Sequence, residues 1–261
     1  MLDLDVQLWT LAAGAAVMAL AWAVSLPLRD ASVADIAWGL VFAAIAWTAL
    51  AVGDGAEDRE LLIAVLVTVW ALRLSLYIGR RHDGEDKRYV AMRERQGASF
   101  AIRSLFTVFL LQSAIAWVVS APVQGAAADS TPAEIGALGL IGALVTVFGI
   151  AFEATADGQL RRFLTRKSEG VESGVMDQGL WRYSRHPNYF GNATLWFGIW
   201  LIALETGSAW WTVIGPVVMT FFLLRVSGVA LTEKTIGKRR PGYPEYVERT
   251  SAFVPLPPKR R

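Results

Sequence analysis

The chain has 261 residues and a formal net charge of +2, and 54% of its residues are hydrophobic while only 18% are charged. Soluble domains carry about 25% charged residues, and the apolar residues here fall in runs of about 20, the length that crosses a bilayer as a helix. These features exclude a soluble globular enzyme. With no cysteine and two histidines, the chain has no disulfide framework or thiolate nucleophile, and no metal site is expected.

Hydropathy along the chain predicts an all-α, polytopic integral membrane bundle of about seven transmembrane helices. In chain order the predicted spans are Val6–Leu28, Val33–Val52, Leu61–Gly79, Ser104–Val123, Ile135–Phe152, Tyr189–Leu204 and Ala209–Ala230. The spans belong to one membrane domain, residues 1–261. Loops 80–103 and 157–187 and the tail 231–261 are predicted to form a cytosolic cap.

The basic residues predict the orientation of this bundle. If the N-terminus lies outside, the inside segments hold 22 of the 25 basic residues and the outside segments hold only Arg59. Cytoplasmic segments of membrane proteins carry the excess of Lys and Arg. The N-terminus is therefore predicted to lie outside and the C-terminus in the cytosol.

Polar side chains within the spans are functional candidates, because an ionisable group in a bilayer costs several kcal/mol unless it is paired or hydrated. Asp35 opens the second span, and Arg73 and Tyr77 lie one helical turn apart in the third. The others are Glu153, Asp157, Arg161, Asn188, Asn192 and Arg225. In the predicted orientation all of them lie toward the cytosol, which predicts a polar cavity that opens there.

Structural roles remain open for several of these groups. Asp35 is also suited to cap its own helix, and Arg73 is also suited to extend its charge to the membrane interface. Glu153, Asp157 and Arg161 have the spacing of a solvated ladder of ion pairs on one helix face.

The segment GLWRYSRHPNYFGN, residues 179–192, concentrates charged, aromatic and amide groups at the start of the sixth span. Pro187 suits the first turn of a helix, whose free N–H groups can bind an anion. Asn188 has both a donor and an acceptor and is suited to bind a carboxamide. Arg182, Tyr183 and His186 precede it.

This segment, followed by TEKTIGKRRPGYPEYVERTSAFVP, resembles the C-terminal superfamily of steroid 5-alpha-reductases, and in particular a bacterial branch that is a domain of unknown function. VADIAWG, WALRLSLY, GEDKRY and FEATADGQLRRF resemble the same branch, so the resemblance covers nearly the whole chain. It implies a membrane oxidoreductase of the bacterial inner membrane that uses NADPH. The reaction it implies is reduction of a carbon–carbon double bond conjugated to a carbonyl, in a steroid-like or lipid substrate that enters from the bilayer.

The resemblance also implies roles for individual residues. Steroid reductases hold the substrate carbonyl with a Glu on the second helix and a Tyr on the third, and by position Asp35 and Trp70 correspond to them. Tyr77 is the candidate proton donor, or else it orients Arg73. The predicted cofactor-contacting residues are Arg73, Glu153, Asp157, Arg161, Arg182, Tyr183, His186, Asn188, Asn192, Arg225 and Tyr243.

Some positions match this family weakly. Residue 192 follows the glycine of the motif, where an acidic residue is usual, and its amide in this chain removes a charge. Trp70 can donate one hydrogen bond but cannot act as an acid. Arg225, Glu233 and Lys234 align only weakly, and Arg162 is a further candidate for the cofactor phosphates.

Two other functions remain open. An S-adenosylmethionine-dependent membrane methyltransferase of the isoprenylcysteine or lipid type has a similar RHPNYFG segment, Glu233 region and Tyr243 turn, but it leaves Asp35, Arg73 and the Asp157–Arg161 pair without a role. A transporter or scaffold is the third possibility. Nucleic-acid binding is not expected, because the basic residues cluster where topology requires them. The substrate, the oligomeric state and the preference between NADPH and NADH are left open.

Overall fold

The structure is a computed structural model, and it describes residues 3–226 and 242–259. In these residues the regular structure is helical, apart from one isolated parallel bridge between Ser184 and Ser251. This confirms the predicted all-α class. Glu233, Lys234 and the last four residues of the predicted seventh span lie outside the described residues.

The described residues contain eleven α-helices. They are α1 (Leu4–Leu28), α2 (Val33–Val52), α3 (Glu57–Arg81), α4 (Lys87–Gln96), α5 (Phe100–Ser104), α6 (Leu111–Val119), α7 (Ala121–Ala127), α8 (Ala137–Ser168), α9 (Pro187–Leu204), α10 (Ile214–Phe221) and α11 (Tyr243–Arg249). The π-helical segments are Leu105–Leu110 and Phe222–Val226, and the 3₁₀ turns are Gly97–Ser99, Gly179–Arg182 and Trp210–Val213.

Five helical stretches among the described residues are long and apolar enough to cross a membrane. They are Leu4–Leu28, Val33–Val52, Glu57–Arg81, Lys87–Val119 and Ala137–Ser168. Trp210–Val226 is a shorter apolar stretch, and α9 coincides with the predicted sixth span but begins with polar residues. The chain is therefore a multi-pass membrane protein, while the full count of seven spans and their orientation stay predictions.

Helical structure extends further into the predicted cap than the sequence indicated. α8 continues past the apolar stretch to Ser168, because the residues that follow Asp157 are mostly good helix formers. The loop predicted over 80–103 contains α4, which starts after Asp86. The side chain of Asp86 caps this helix by accepting a hydrogen bond from the backbone N–H of Arg88 at 2.8 Å.

The described residues fall into two compact units, one within Met1–Ala143 and Ile199–Gly215 and the other within Leu144–Gly198 and Pro216–Arg261. In the first unit α2 packs against both α1 and α3. Gly39 on α2 allows close contact, because a Cβ there would lie 2.6 Å from the backbone oxygen of Ala71. Small residues of this kind let transmembrane helices approach closely.

A buried arginine marks one end of α3. Arg59 is fully buried and donates hydrogen bonds to the backbone oxygens of Asp129 (3.0 Å) and Pro132. The hydroxyl of Ser208 and the backbone N–H of Thr131 donate to Asp129 and lower its pKa. The 129–132 segment therefore lies at the N-terminal end of α3, about 37 Å from the other end at 1.5 Å per residue.

The absence of native cysteine makes the predicted orientation directly testable. We expect Ser130→Cys, in the segment held by Arg59, to react with a membrane-impermeant maleimide in intact bacteria that express the protein. Asp83→Cys, just beyond the C-terminal end of α3, should react only after lysis. The reverse pattern of labelling would contradict the predicted outside N-terminus.

Candidate functional site

Asp35 on α2 is engaged by two side chains from α4 in the first unit. Its Oδ2 accepts a hydrogen bond from Arg88 Nη2 at 2.9 Å, and its Oδ1 accepts one from the hydroxyl of Tyr89 at 2.8 Å. Gln112 in turn donates to the Tyr89 hydroxyl at 3.3 Å. Tyr89 is buried and the Asp35 side chain is only 27% exposed. Asp35 is therefore the acceptor of a buried carboxylate–phenol pair.

The turn before α2 is bound to the segment before α4 by further polar contacts. His82 Nε2 lies 2.6 Å from Oδ2 of Asp30, and the backbone N–H of Asp86 donates to the Ser32 hydroxyl at 2.8 Å. Burial opposes ionisation of Asp86, but the hydrogen bonds from Arg88 outweigh it and lower the pKa of this carboxyl. These contacts hold α4, and with it Tyr89, at the start of α2.

The other predicted catalytic residues have different surroundings. Trp70 is fully buried and packs edge-to-face against Phe42, with ring centroids 5.2 Å apart. The hydroxyl of Tyr77 accepts a hydrogen bond from Arg81 at 2.8 Å, and Arg73 is half-buried one turn earlier. Among the described aromatic residues, Tyr89 is the one whose hydroxyl donates to Asp35.

The second unit pairs two carboxylates on α8 with two amides on α9. Asn188 Nδ2 donates to Asp157 Oδ1 at 3.2 Å, and Asn192 Nδ2 lies 3.4 Å from Glu153 Oε1. Glu153, Asp157 and Asn192 are buried, and Asn188 is half-buried. The sequence predicted them as two i,i+4 pairs within a larger set of polar residues, and the structure joins the two pairs as two rungs between adjacent helices.

The amide nitrogens of these rungs contact carboxylates, whereas the amide oxygens lack a hydrogen-bond donor among the described residues. No hydrogen-bond donor among the described residues reaches the buried Oδ1 of Asn188 or of Asn192. A buried acceptor without a donor costs about 1–3 kcal/mol. An amide N–H of a bound molecule would satisfy such an acceptor.

The remaining predicted cofactor residues of this unit lie near the start of α9, on the surface or in the C-terminal segment. His186 is buried and its ring stacks on Tyr189, with centroids 5.4 Å apart. Tyr243 is buried against Tyr246. The exposed members are Arg161, Arg162, Arg182, Tyr183 and Arg225. Asp35 and Arg73 belong to the first unit and Asp157 and Asn188 to the second, so a cavity shared by all four stays a prediction.

Two sets of residues were missed by the sequence reasoning. Arg88 and Tyr89 stand in the GEDKRY motif, but they lie 53 and 54 positions after Asp35, and only the fold reveals that they meet it. Arg249 and Lys259 resemble the other basic residues of the predicted inside segments, and nothing in their local pattern singles them out.

Comparison with known proteins gives the family. The family model described as "Protein of unknown function (DUF1295)" matches residues 21–250. The chain belongs to this family. An uncharacterized protein of Schizosaccharomyces pombe is 23% identical over 265 residues, covering 90% of this chain and 75% of the relative. No solved structure matches the chain.

The two rungs depend on close contact between α8 and α9. A Cβ at Gly149 would lie 2.5 Å from the backbone nitrogen of Leu195 and 2.7 Å from the backbone oxygen of Gly191. We expect Gly149→Ala to lower the free energy of unfolding by about 1–3 kcal/mol, the usual cost of overpacking. Thermal unfolding in detergent measures the change.

Gly158 on the same helix provides the matched control. A Cβ there would meet no atom within 4 Å, so Gly158→Ala should keep or raise the unfolding temperature, because alanine is the better helix former. Equal losses in the two variants would show that helix contact is not the cause.

Proposed function

We propose that this chain is an NADPH-dependent membrane reductase of a carbon–carbon double bond conjugated to a carbonyl. Its substrate is a lipophilic molecule, steroid-like or lipid, that enters from the bilayer, and its membrane is the bacterial inner membrane. The family match defines no reaction, so the proposal rests on the chemistry of the side chains and on the resemblance to steroid reductases.

The observation that carries the proposal is the rung between Asn188 and Asp157. A nicotinamide carboxamide presents an NH₂ donor and a carbonyl acceptor. The Asn188 amide is already oriented through its nitrogen by Asp157, and its buried oxygen has no donor among the described residues. These residues fit the carboxamide, since its NH₂ group supplies the missing donor.

The charges of the second unit also suit a dinucleotide. Arg161 and Arg162 on α8 and Arg182 in the 3₁₀ turn are exposed, and guanidinium groups bind phosphate oxygens through paired N–H donors. The rungs and these arginines would hold NADPH from its nicotinamide end and from its phosphates. When bound, NADPH supplies a hydride to the β-carbon of the conjugated system.

The carboxylate–phenol pair of the first unit suits the substrate carbonyl. The single proton of the Tyr89 hydroxyl is donated to Asp35 in the structure and would turn to the substrate carbonyl on binding, while Gln112 keeps the hydroxyl in place by donating to it. As hydride reaches the β-carbon, negative charge develops on the carbonyl oxygen. A donor that is already in place stabilises that charge. Tyr89 therefore takes the role of holding the carbonyl that the sequence gave to Asp35 and Trp70, and Asp35, which accepts hydrogen bonds in the structure, positions it.

Reduction of the double bond needs one proton in addition to the hydride. A hydride joins the β-carbon, the enolate is held by the Tyr89 hydroxyl and by the nearby Arg88 guanidinium, and a proton from solvent joins the α-carbon. Protonation of the α-carbon would restore the carbonyl. Arg88 contributes by holding the Asp35 carboxylate in place, through an ion pair with an N···O distance of 2.9 Å.

Ligand-induced stabilisation distinguishes this function from methyl transfer. We expect NADPH to raise the unfolding temperature of the detergent-purified protein in a concentration-dependent way, because a ligand that binds only the native state stabilises it. S-Adenosylmethionine should cause no shift. Stabilisation by S-adenosylmethionine alone would contradict the reductase proposal and would favour methyl transfer as the function.

A variant of Asn188 tests whether stabilisation by NADPH depends on the rung between Asn188 and Asp157. Asn188→Ala should weaken NADPH binding about tenfold, the value of one hydrogen bond of about 1.4 kcal/mol. Thr155→Ala is the matched control, because the Thr155 hydroxyl is exposed and donates only to the Ala151 oxygen of its own helix. NADPH binding that is equal in the two variants would contradict the assigned role.

The two tyrosines of the first unit give the test of mechanism. With progesterone as the probe enone, we expect Tyr89→Phe to lower kcat by about 10²–10³-fold, the usual cost of removing one donor that stabilises an oxyanion. NADPH affinity should stay within threefold of wild type. Tyr77→Phe should retain most of the activity, since Tyr77 is bound to Arg81. A larger loss in Tyr77→Phe would transfer the role to Tyr77.

A further inference from the structure

A small cavity lies beside the 3₁₀ turn of the second unit, apart from the α8–α9 rungs in the side chains that line it. Its volume is about 340 Å³, and it is lined by Asp177, Arg182, Arg249, Thr250, Pro258 and Lys259. Two segments far apart in sequence, 177–182 and 249–259, therefore form its walls.

Hydrogen bonds from backbone and side-chain donors join these two segments and the residues next to them. The N–H of Leu256 donates to the oxygen of Tyr183 at 2.9 Å, and the hydroxyl of Ser184 donates to the oxygen of Phe253 at 2.7 Å. The buried hydroxyl of Tyr246 donates to the oxygen of Trp181, and burial raises the pKa of this tyrosine. The walls are thus fixed by the fold and do not depend on a ligand for their position.

The charges of the cavity are unbalanced. Arg249 forms an ion pair with Asp177, whereas no carboxylate among the described residues forms an ion pair with Arg182 or Lys259. Three basic side chains face one acidic side chain, so the lining carries a formal charge of +2. The surplus matches a dianion.

We propose that this cavity binds a phosphate monoester. Such a group carries about two negative charges near neutral pH, which equals the surplus of the lining, and its oxygens accept the paired N–H donors of arginine. The volume lies at the low end of ligand sites. It admits a phosphate with the sugar or glycerol that bears it, and not a whole dinucleotide.

Two molecules could present this group. One is a nucleotide with a 2′-phosphate, and that source rests on the proposed function, because NADPH carries this phosphate and NADH does not. The other is the headgroup of phosphatidic acid. The site itself needs neither reduction nor hydride transfer, so it can exist even if the proposed reductase activity is absent.

Calorimetric titration of the purified full chain in detergent tests the proposal with defined probes. The probes are adenosine 2′-monophosphate, inorganic phosphate and bicelles that contain phosphatidic acid. Cyclic adenosine 2′,3′-monophosphate, which has one negative charge, is the control ligand. We expect at least one monoester to bind at least tenfold more tightly than the cyclic diester in wild type, a result that requires no variant.

Matched variants connect binding to the cavity. Lys259→Gln and Arg182→Gln should each weaken binding of the effective monoester at least fivefold. Arg95→Gln removes one positive charge from the exposed surface of α4 and should leave the affinity within twofold of wild type. A loss in all three variants would indicate general attraction to a basic protein and would overturn the proposal.

The remaining outcomes separate the sources and the two proposals. Binding of adenosine 2′-monophosphate assigns the phosphate to a nucleotide, and binding only of phosphatidic acid assigns it to a lipid. Failure of every monoester at millimolar concentration overturns the site, whatever the reductase assay shows. Monoester binding in a protein that reduces no enone leaves the site standing and removes the reductase proposal.

Discussion

The cost of placing carboxylates in an apolar helical bundle is the constraint on which this structure depends. An unpaired charge in such surroundings costs several kcal/mol, and the described acidic groups on α2 and α8 are each met by a donor. Asp35 receives Arg88 and Tyr89, while Asp157 and Glu153 receive the amides of α9. These donors come from other helices, so pairing and tertiary structure are inseparable.

The donors that contact these carboxylates differ in kind between the two units. In the first, a cation neutralises Asp35 and a phenol shares it. In the second, neutral amides face the carboxylates, and the fit requires Gly149 and Gly191 where the helices touch. A charged partner can act from a flexible side chain, whereas an amide has to be brought within hydrogen-bond distance by the backbone. The rungs are accordingly the more sensitive to helix spacing.

These side-chain arrangements lead to a hypothesis about the chemistry of the family. A match to a family of unknown function over residues 21–250 places the chain among related membrane proteins without a reaction. The buried amide oxygens near α8, the Tyr89–Asp35 pair and the basic cavity beside the 3₁₀ turn each call for a different partner atom. An amide donor, a carbonyl oxygen and a phosphate are the three that their chemistry suits, and these are the partners that the proposed reduction by NADPH requires.

The sequence by itself determined the membrane class, the helical content and the position of most spans, because a bilayer demands long apolar helices whatever their neighbours. It also predicted Glu153 with Asp157, and Asn188 with Asn192, as pairs that each share one helix face, since i,i+4 spacing fixes a common face. Only the tertiary structure decided that Tyr89 meets Asp35 and that Arg182 lines a cavity with Lys259. Contacts between residues more than 50 positions apart depend on how helices pack, and local periodicity carries no record of that packing.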